Sequence, residues 1–177
     1  MLKLVAIGLA ALAAAFVIVV GLQPAELRVA RSATVSAPPT VVFAQLNDLH
    51  AFNQWSPFAK RDPATKQTFD GPASGQGASM AWAGNAEVGE GRMTITDSRP
   101  NEIVRYHLEF LKPFENTAEA NIALRPDGDR TTVTWSMVAP NNFIAKAMHL
   151  FLDMDEMVGG DFEKGLADLK SIAERKA

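Results

Sequence analysis

Proton transfer near neutral pH falls most readily to histidine, because imidazole titrates there. The chain has three: His50, His107 and His149. They stand far apart with no metal-ligand spacing between them, and His107 falls on the polar face of an alternating segment. Asn85, Glu90 and Arg92 follow Trp82 closely. They have the chemistry to orient a polar ligand head; equally, Asn85 beside Gly84 suits a turn and Glu90/Arg92 a surface pair. Asp153, Asp155, Glu156, Asp161 and Glu163 fall within eleven residues without a compensating base. A hard cation takes such carboxylates, but there is no calcium-loop pattern and no carboxylate–histidine spacing, so a solvated helix face is expected. Gly71-Pro72-Ala73-Ser74-Gly75 has the wrong spacing for a serine nucleophile elbow. Gly75-Gln76-Gly77 and Gly89-Glu90-Gly91 extend to neither a dinucleotide fingerprint nor a phosphate loop. No metal site and no cofactor are implied, and no catalytic residue is assigned.

Composition narrows the classes further. The chain has 177 residues, 47% apolar and 21% charged, with a net charge of −3. That excludes a disordered or fibrous protein, and the interspersed charges give no footprint for nucleic acid. With no cysteine there is no disulfide scaffold, thiolate zinc site, cysteine nucleophile or lipoprotein anchor.

The elements that would position these groups follow from periodicity. Leu4 through Leu22 contains only Ala, Val, Leu, Ile, Phe and Gly, and as a helix it spans roughly 28 Å, near the hydrocarbon thickness of a bilayer. A cleaved signal peptide is the competing reading, but the Ala-x-Ala candidate Ala13-Ala14-Ala15 lies inside the run. Residues 1–24 are therefore expected to be a single-pass transmembrane anchor and residues 25–177 one folded domain. Lys3 and the amino terminus favour a cytoplasmic N-terminus and an extracytoplasmic domain in the cell membrane, whereas Arg28 and Arg31 pull the other way.

Leu27–Val35 alternates as a half-buried strand. Pro38-Pro39 then opens a short helix carrying Val41, Val42, Phe43, Leu46 and Leu49. Asn53–Gly77 is rich in turn formers. Alternation returns with Met80/Trp82, Met93/Ile95, Val104/Tyr106/Leu108/Phe110, Ala118/Ala120/Ile122/Leu124 and Val133/Trp135/Met137, punctuated by Arg99-Pro100-Asn101-Glu102 and the hairpin signal Asp127-Gly128. This predicts an antiparallel meander. From about Asn142 to Glu174 the period becomes helical (Phe143, Ala147, Leu150, Phe151, Met154, Val158, Phe162, Leu166, Leu169, Ala173), predicting one long amphipathic helix with a bend at Gly159-Gly160.

The stretches Ser36-Ala37-Pro38-Pro39, Trp55-Ser56-Pro57-Phe58, Trp82-Ala83-Gly84-Asn85, Gly89-Glu90-Gly91, Lys112-Pro113-Phe114, Val133-Thr134-Trp135 and Met154-Asp155-Glu156-Met157-Val158-Gly159, in this order and spacing, span about Arg28 to Glu174. Their arrangement resembles the SRPBCC superfamily of START-like helix-grip proteins, and within it a membrane-anchored polyketide cyclase/dehydrase and lipid-transport group. The resemblance implies an α+β fold (START/Bet v 1-like) with a curved antiparallel sheet wrapped around a long C-terminal helix, preceded here by the N-terminal transmembrane helix. It also implies an apolar cavity beneath the long helix. It does not fix a reaction, because one fold hosts many functions.

On that fold Trp55, Trp82, Asn85, Tyr106, Phe110, Phe114, Trp135, Met137, Phe151, Met154 and Phe162 are the candidate cavity-lining, ligand-binding residues. The leading expectation is a membrane-tethered domain that binds a hydrophobic small molecule, lipid-, isoprenoid- or polyketide-like. One alternative is a polyketide cyclase/dehydratase-like enzyme drawing on His107, Glu90 or Arg92; strand parity, which turns Arg105, His107 and Glu109 away from the core, counts against it. The other is a non-catalytic interaction module, which predicts an exposed apolar patch outside the cavity. Protein partners are left open.

Overall fold

The computed structural model describes residues 2–177; Met1, the first residue of the expected anchor, lies outside the described residues. Helix α1 (Leu2–Gly21) is a continuous apolar helix with the length and composition of a membrane span or a signal sequence. Strand β1 (Glu26–Val35) follows, then α2 (Pro39–Leu46), α3 (Leu49–Trp55) and strands β2 (Lys66–Asp70), β3 (Ser79–Ala83), β4 (Glu90–Arg99), β5 (Ile103–Lys112), β6 (Asn116–Asp127) and β7 (Arg130–Pro140). Helices α4 (Phe143–Met148) and α5 (Met154–Lys176) end the chain. The seven strands form one antiparallel sheet in the order β1-β7-β6-β5-β4-β3-β2.

Three elements differ from the sequence reading, each for a local reason. The helix expected after Pro38-Pro39 is two helices, because the Asp48 carboxylate accepts the backbone N–H groups of His50 and Ala51 at 2.8 and 3.4 Å and starts α3 afresh. Lys66–Asp70, inside the turn-rich stretch, is the edge strand β2; its alternation is carried by Gln67 and Phe69 alone, too few apolar residues to announce it. The long terminal helix breaks between Met148 and Met154, not at Gly159-Gly160. Asn142 caps α4 by accepting from Ala145 N (2.9 Å), and Asp153 caps α5 by accepting from Glu156 N (3.0 Å). The glycine pair lies within unbroken α5.

Gly159 serves close approach instead. A Cβ there would meet the Arg31 guanidinium at 2.1 Å. The bare backbone lets Arg31, on β1, lie against α5, donating to Asp155 (2.9 Å) and Glu163 (2.9 Å). The acidic run is therefore not uncompensated: Arg31 takes two of its members, and Arg61 pairs with the buried Asp161.

Under the far half of the sheet the core is solid. Val35, Val42, Leu46, Leu49, Ile95, Val104, Ile122, Val133, Leu166 and Leu169 are fully or almost fully buried, packed between the concave face and α2, α3 and α5. The half nearest α4 is filled differently.

Candidate functional site

Strand register builds a concave wall in rows. Trp82, Gly91 and Phe110 stand across from one another on β3, β4 and β5, with Met80, Met93 and Leu108 in the next row. Beneath them Tyr106, Ala120 and Met137 align across β5, β6 and β7. Two features leave this region hollow. Strand β6 presents only the small side chains Ala118 and Ala120 to this part of the concave face, and the terminal helix is interrupted between Met148 and Met154 beside it.

The result is a cavity of about 850 Å³, within the range of small-molecule sites, roughly 300–1,000 Å³. An aromatic cluster forms its floor. Trp135 and Phe162 stack at 4.1 Å with rings nearly parallel, and Phe52 lies 5.5 Å from Tyr106 and 6.1 Å from Trp135. The Tyr106 hydroxyl donates to the Leu46 carbonyl at 2.8 Å; full burial raises its pKa well above the usual phenol value. Gly91 shapes the wall, since a Cβ there would strike the Trp82 ring at 2.4 Å. Trp82 donates its indole N–H to the Val88 carbonyl (3.3 Å) and meets Phe110 edge-on at 6.0 Å.

The polar groups in the wall are few. Asn53 and Gln67 exchange reciprocal amide hydrogen bonds at 2.8 and 2.9 Å. Arg61, bound to Asp161, ties the segment after α3 to α5 at the rim. At the mouth, the exposed apolar side chains of Phe58, Leu111, Phe114, Ile144 and Met148 stand among the charged Glu87, Lys112 and Glu115.

Of the eleven candidate lining residues, Trp82, Tyr106, Phe110, Phe114, Trp135, Met137 and Phe162 are brought together in this wall. Trp55, Asn85, Phe151 and Met154 are not. Trp55 sits behind the floor, fully buried against Trp135 at 5.4 Å, its indole N–H given to the Gln45 carbonyl. Asn85 builds the β3–β4 turn: its side chain accepts from Glu87 N and Val88 N, and its own N–H donates to Asp62. That last bond, with a second from Ala64 N, holds the Asp62 carboxyl below the ordinary range. Phe151 and Met154 lie at the α4–α5 break, with Phe151 76% exposed, because the break rotates this segment off the inner stripe.

The acid–base candidates also lie outside the wall. His107 faces its cross-strand partner Glu119 on the outer side of the sheet, Glu90 pairs with Lys112 at 2.8 Å, and Arg92 is exposed. Among the described residues, no group of three or more His, Asp or Glu is placed to hold a metal ion. The sequence reading missed Phe52, Met93, Leu108, Ile144 and Met148 as lining residues. Strand parity had already put Met93 and Leu108 on apolar faces; Ile144 and Met148 were hidden by the assumption of one continuous helix.

A curved antiparallel sheet, a long C-terminal helix and an apolar hollow between them define a helix-grip protein. Residues 26–174 match the family described as polyketide cyclase/dehydrase and lipid transport, and the chain belongs to that family. Solved structures share the fold at low identity. A Mesorhizobium loti protein superposes with a TM-score of 0.62 at 14% identity, covering 85% of this chain and 99% of its own. A Nitrosospira multiformis protein gives 0.59 at 23%, covering 82% and 94%. CalU16 from Micromonospora echinospora gives 0.54 at 15%, covering 85% and 86%. Among curated proteins none matches the chain significantly.

Proposed function

We propose that this protein binds a hydrophobic small molecule, lipid-, isoprenoid- or polyketide-like, in the cavity between the sheet and α5. The observation that carries this reading is the wall itself: aromatic, Met and Leu side chains around about 850 Å³, with a few polar groups near the rim. A ligand burying about 300 Å² of apolar surface there gains roughly 7 kcal/mol before the costs of association. Residues 1–24 act as the anchor and residues 25–177 as the binding domain, tethered to the cell membrane on its extracytoplasmic side. The tether holds the cavity beside a reservoir of apolar ligand and so raises its effective concentration.

Binding is favoured over cyclase-like catalysis because His107, Glu90 and Arg92 stand away from the cavity, while the Tyr106 hydroxyl is committed to a backbone carbonyl. The test is native mass spectrometry of the full-length protein, purified from its host's membranes in mild detergent, with extraction of the bound material. A stoichiometric apolar adduct, lost in Ala120→Phe at the centre of the wall, is expected. A bare polypeptide that takes up nothing from a lipid extract would overturn the reading. Labelling of an exposed single cysteine in whole cells by an impermeant maleimide tests the sidedness.

A further inference from the structure

The cavity mouth, α4 and the end of α1 meet at one end of the sheet. Register pairs Glu26, the first residue of β1, with Pro140, the last of β7. Asn141 then donates its backbone N–H to the Ala25 carbonyl (2.8 Å) and its side-chain amide to the Pro24 carbonyl (3.1 Å). Lys146 of α4 reaches the Gly21 carbonyl at 3.5 Å, and Val20 in the last turn of α1 is fully buried. The β5–β6 turn reaches the same end: Asn116, opening β6, donates to the Pro140 carbonyl at 3.4 Å.

This end carries apolar side chains with nothing over them. Leu111 at the end of β5 and Phe114 on the β5–β6 turn are 55% and 59% exposed, and Phe143 and Ile144 on α4 are 51% and 53% exposed. They are flanked by the exposed charges of Lys112 and Glu115, whose stems can lie along the apolar surface. Such a cluster is unusual on a soluble surface. Its place supplies the occupant. A helix of 20 residues spans about 30 Å, so if α1 crosses the bilayer its last turn lies in the interface. Groups hydrogen-bonded to Gly21, Pro24 and Ala25 lie at that level too.

We propose that the rim formed by the β5–β6 turn and α4 inserts into the surface of the same bilayer that α1 crosses, so that the cavity opens onto lipid rather than water. This rests on the tethered-binding reading and deepens it. Apolar side chains need to enter only about 5–10 Å, to the boundary of headgroups and acyl chains. Lys146, turned toward the α1 terminus, stays at headgroup level with its stem along apolar surface. A ligand then passes from bilayer to cavity without crossing water.

The chain has no cysteine, so single substitutions can be spin-labelled cleanly. The full-length protein is reconstituted in vesicles of phosphatidylcholine and phosphatidylglycerol with a label at Phe114→Cys, Ile144→Cys, Leu12→Cys in α1, or Asp129→Cys. The last lies in the β6–β7 turn, roughly 35 Å of strand from the rim. Collision with oxygen, which partitions into lipid, is compared with collision with a water-soluble nickel chelate. The rim labels are expected to show at least a fivefold lower nickel-to-oxygen ratio than Asp129→Cys, approaching Leu12→Cys. Rim labels as open to nickel as Asp129→Cys, with Leu12→Cys shielded, would overturn the docking while leaving the tether intact, and would leave the rim to a protein partner. Exposure of Leu12→Cys as well would remove the tether and the docking together. Spin–spin broadening between rim labels would assign the face to a second copy and overturn the proposal. Because Phe114 and Ile144 are exposed, neither substitution disturbs the core; unchanged circular dichroism verifies this.

Discussion

Replacing Gly160 and Gly165 separately by alanine tests how α5 sits on the sheet. A Cβ at Gly160 meets nothing within 4 Å, so Gly160→Ala gains the helix propensity that glycine forfeits, about 1 kcal/mol, without steric opposition. At Gly165, one and a half turns on, a Cβ would lie 2.8 Å from Cζ3 of Trp135 and 3.0 Å from Cδ of Pro57. The Trp135 ring is confined on two sides, since Phe162 stacks on it at 4.1 Å and Trp55 closes from the side at 5.4 Å, so yielding means tilting toward the cavity and breaking that stack. Overpacking of this kind costs about 1–3 kcal/mol. The propensity gain is common to both variants and cancels in their difference, so Gly165→Ala should be less stable than Gly160→Ala by about 1–3 kcal/mol. At about 2–4 °C per kcal/mol for a domain of this size, Gly160→Ala should melt a few degrees above the parent and roughly 2–12 °C above Gly165→Ala. Thermal unfolding of the full-length protein, followed by far-ultraviolet circular dichroism in one detergent, measures both. A melting point for Gly160→Ala below the parent would refute the reasoning and restore a bend at the glycine pair. Equal values for the two variants would mean that α5 does not press on Trp135.

Further outcomes follow from the same contacts. Phe162→Ala removes a buried ring from the cavity floor and should cost about 3–5 kcal/mol in equilibrium urea unfolding. Gly91→Ala sets a Cβ 2.4 Å from both the Glu109 carbonyl and the Trp82 ring. It should displace Trp82 from the wall and lower bound apolar ligand, measured by extraction, more than a remote surface substitution does. Arg31 holds the Asp155 carboxyl below the ordinary range chiefly by hydrogen bonding, and the Asn85 N–H does the same for Asp62. Since these carboxyls titrate lower folded than unfolded, their contribution is complete above the unfolded value near about 4 and drains as pH falls through the folded values. Asp155→Asn should therefore flatten the loss of thermal stability on acidification below about pH 4.5, with little change in slope above it.

How much was legible in the sequence differs by element. The faces of β5 and β7 were readable, because alternation fixes which side chains share a side: Val104, Tyr106 and Leu108, or Val133, Trp135 and Met137, needed no partner to be sorted. Asp127-Gly128 marked its hairpin through the positive φ that Gly128 adopts, 60°. The apolar stretch of α1 was plain from composition. The start of α5 was also written locally, as Asp153 three residues before Glu156, a cap pattern that the run of helical spacing obscured. Leu150 and Phe151 inside the break keep the helical spacing that links Phe143 and Ala147 to Met154 and Val158, so the apolar pattern shows no interruption there.

Tertiary structure alone decided the rest. Periodicity gives the face of a side chain but not its depth, so Trp55 and Trp135 looked alike; only the layers above them set one behind the floor and the other in it. The hollow arises where an opposing layer is missing, which no single strand records. Arg31 finds Asp155 and Glu163 across 124 and 132 residues of chain. That pairing depends on how closely α5 approaches β1, and Gly159 permits the approach for a reason visible only once both elements are in place.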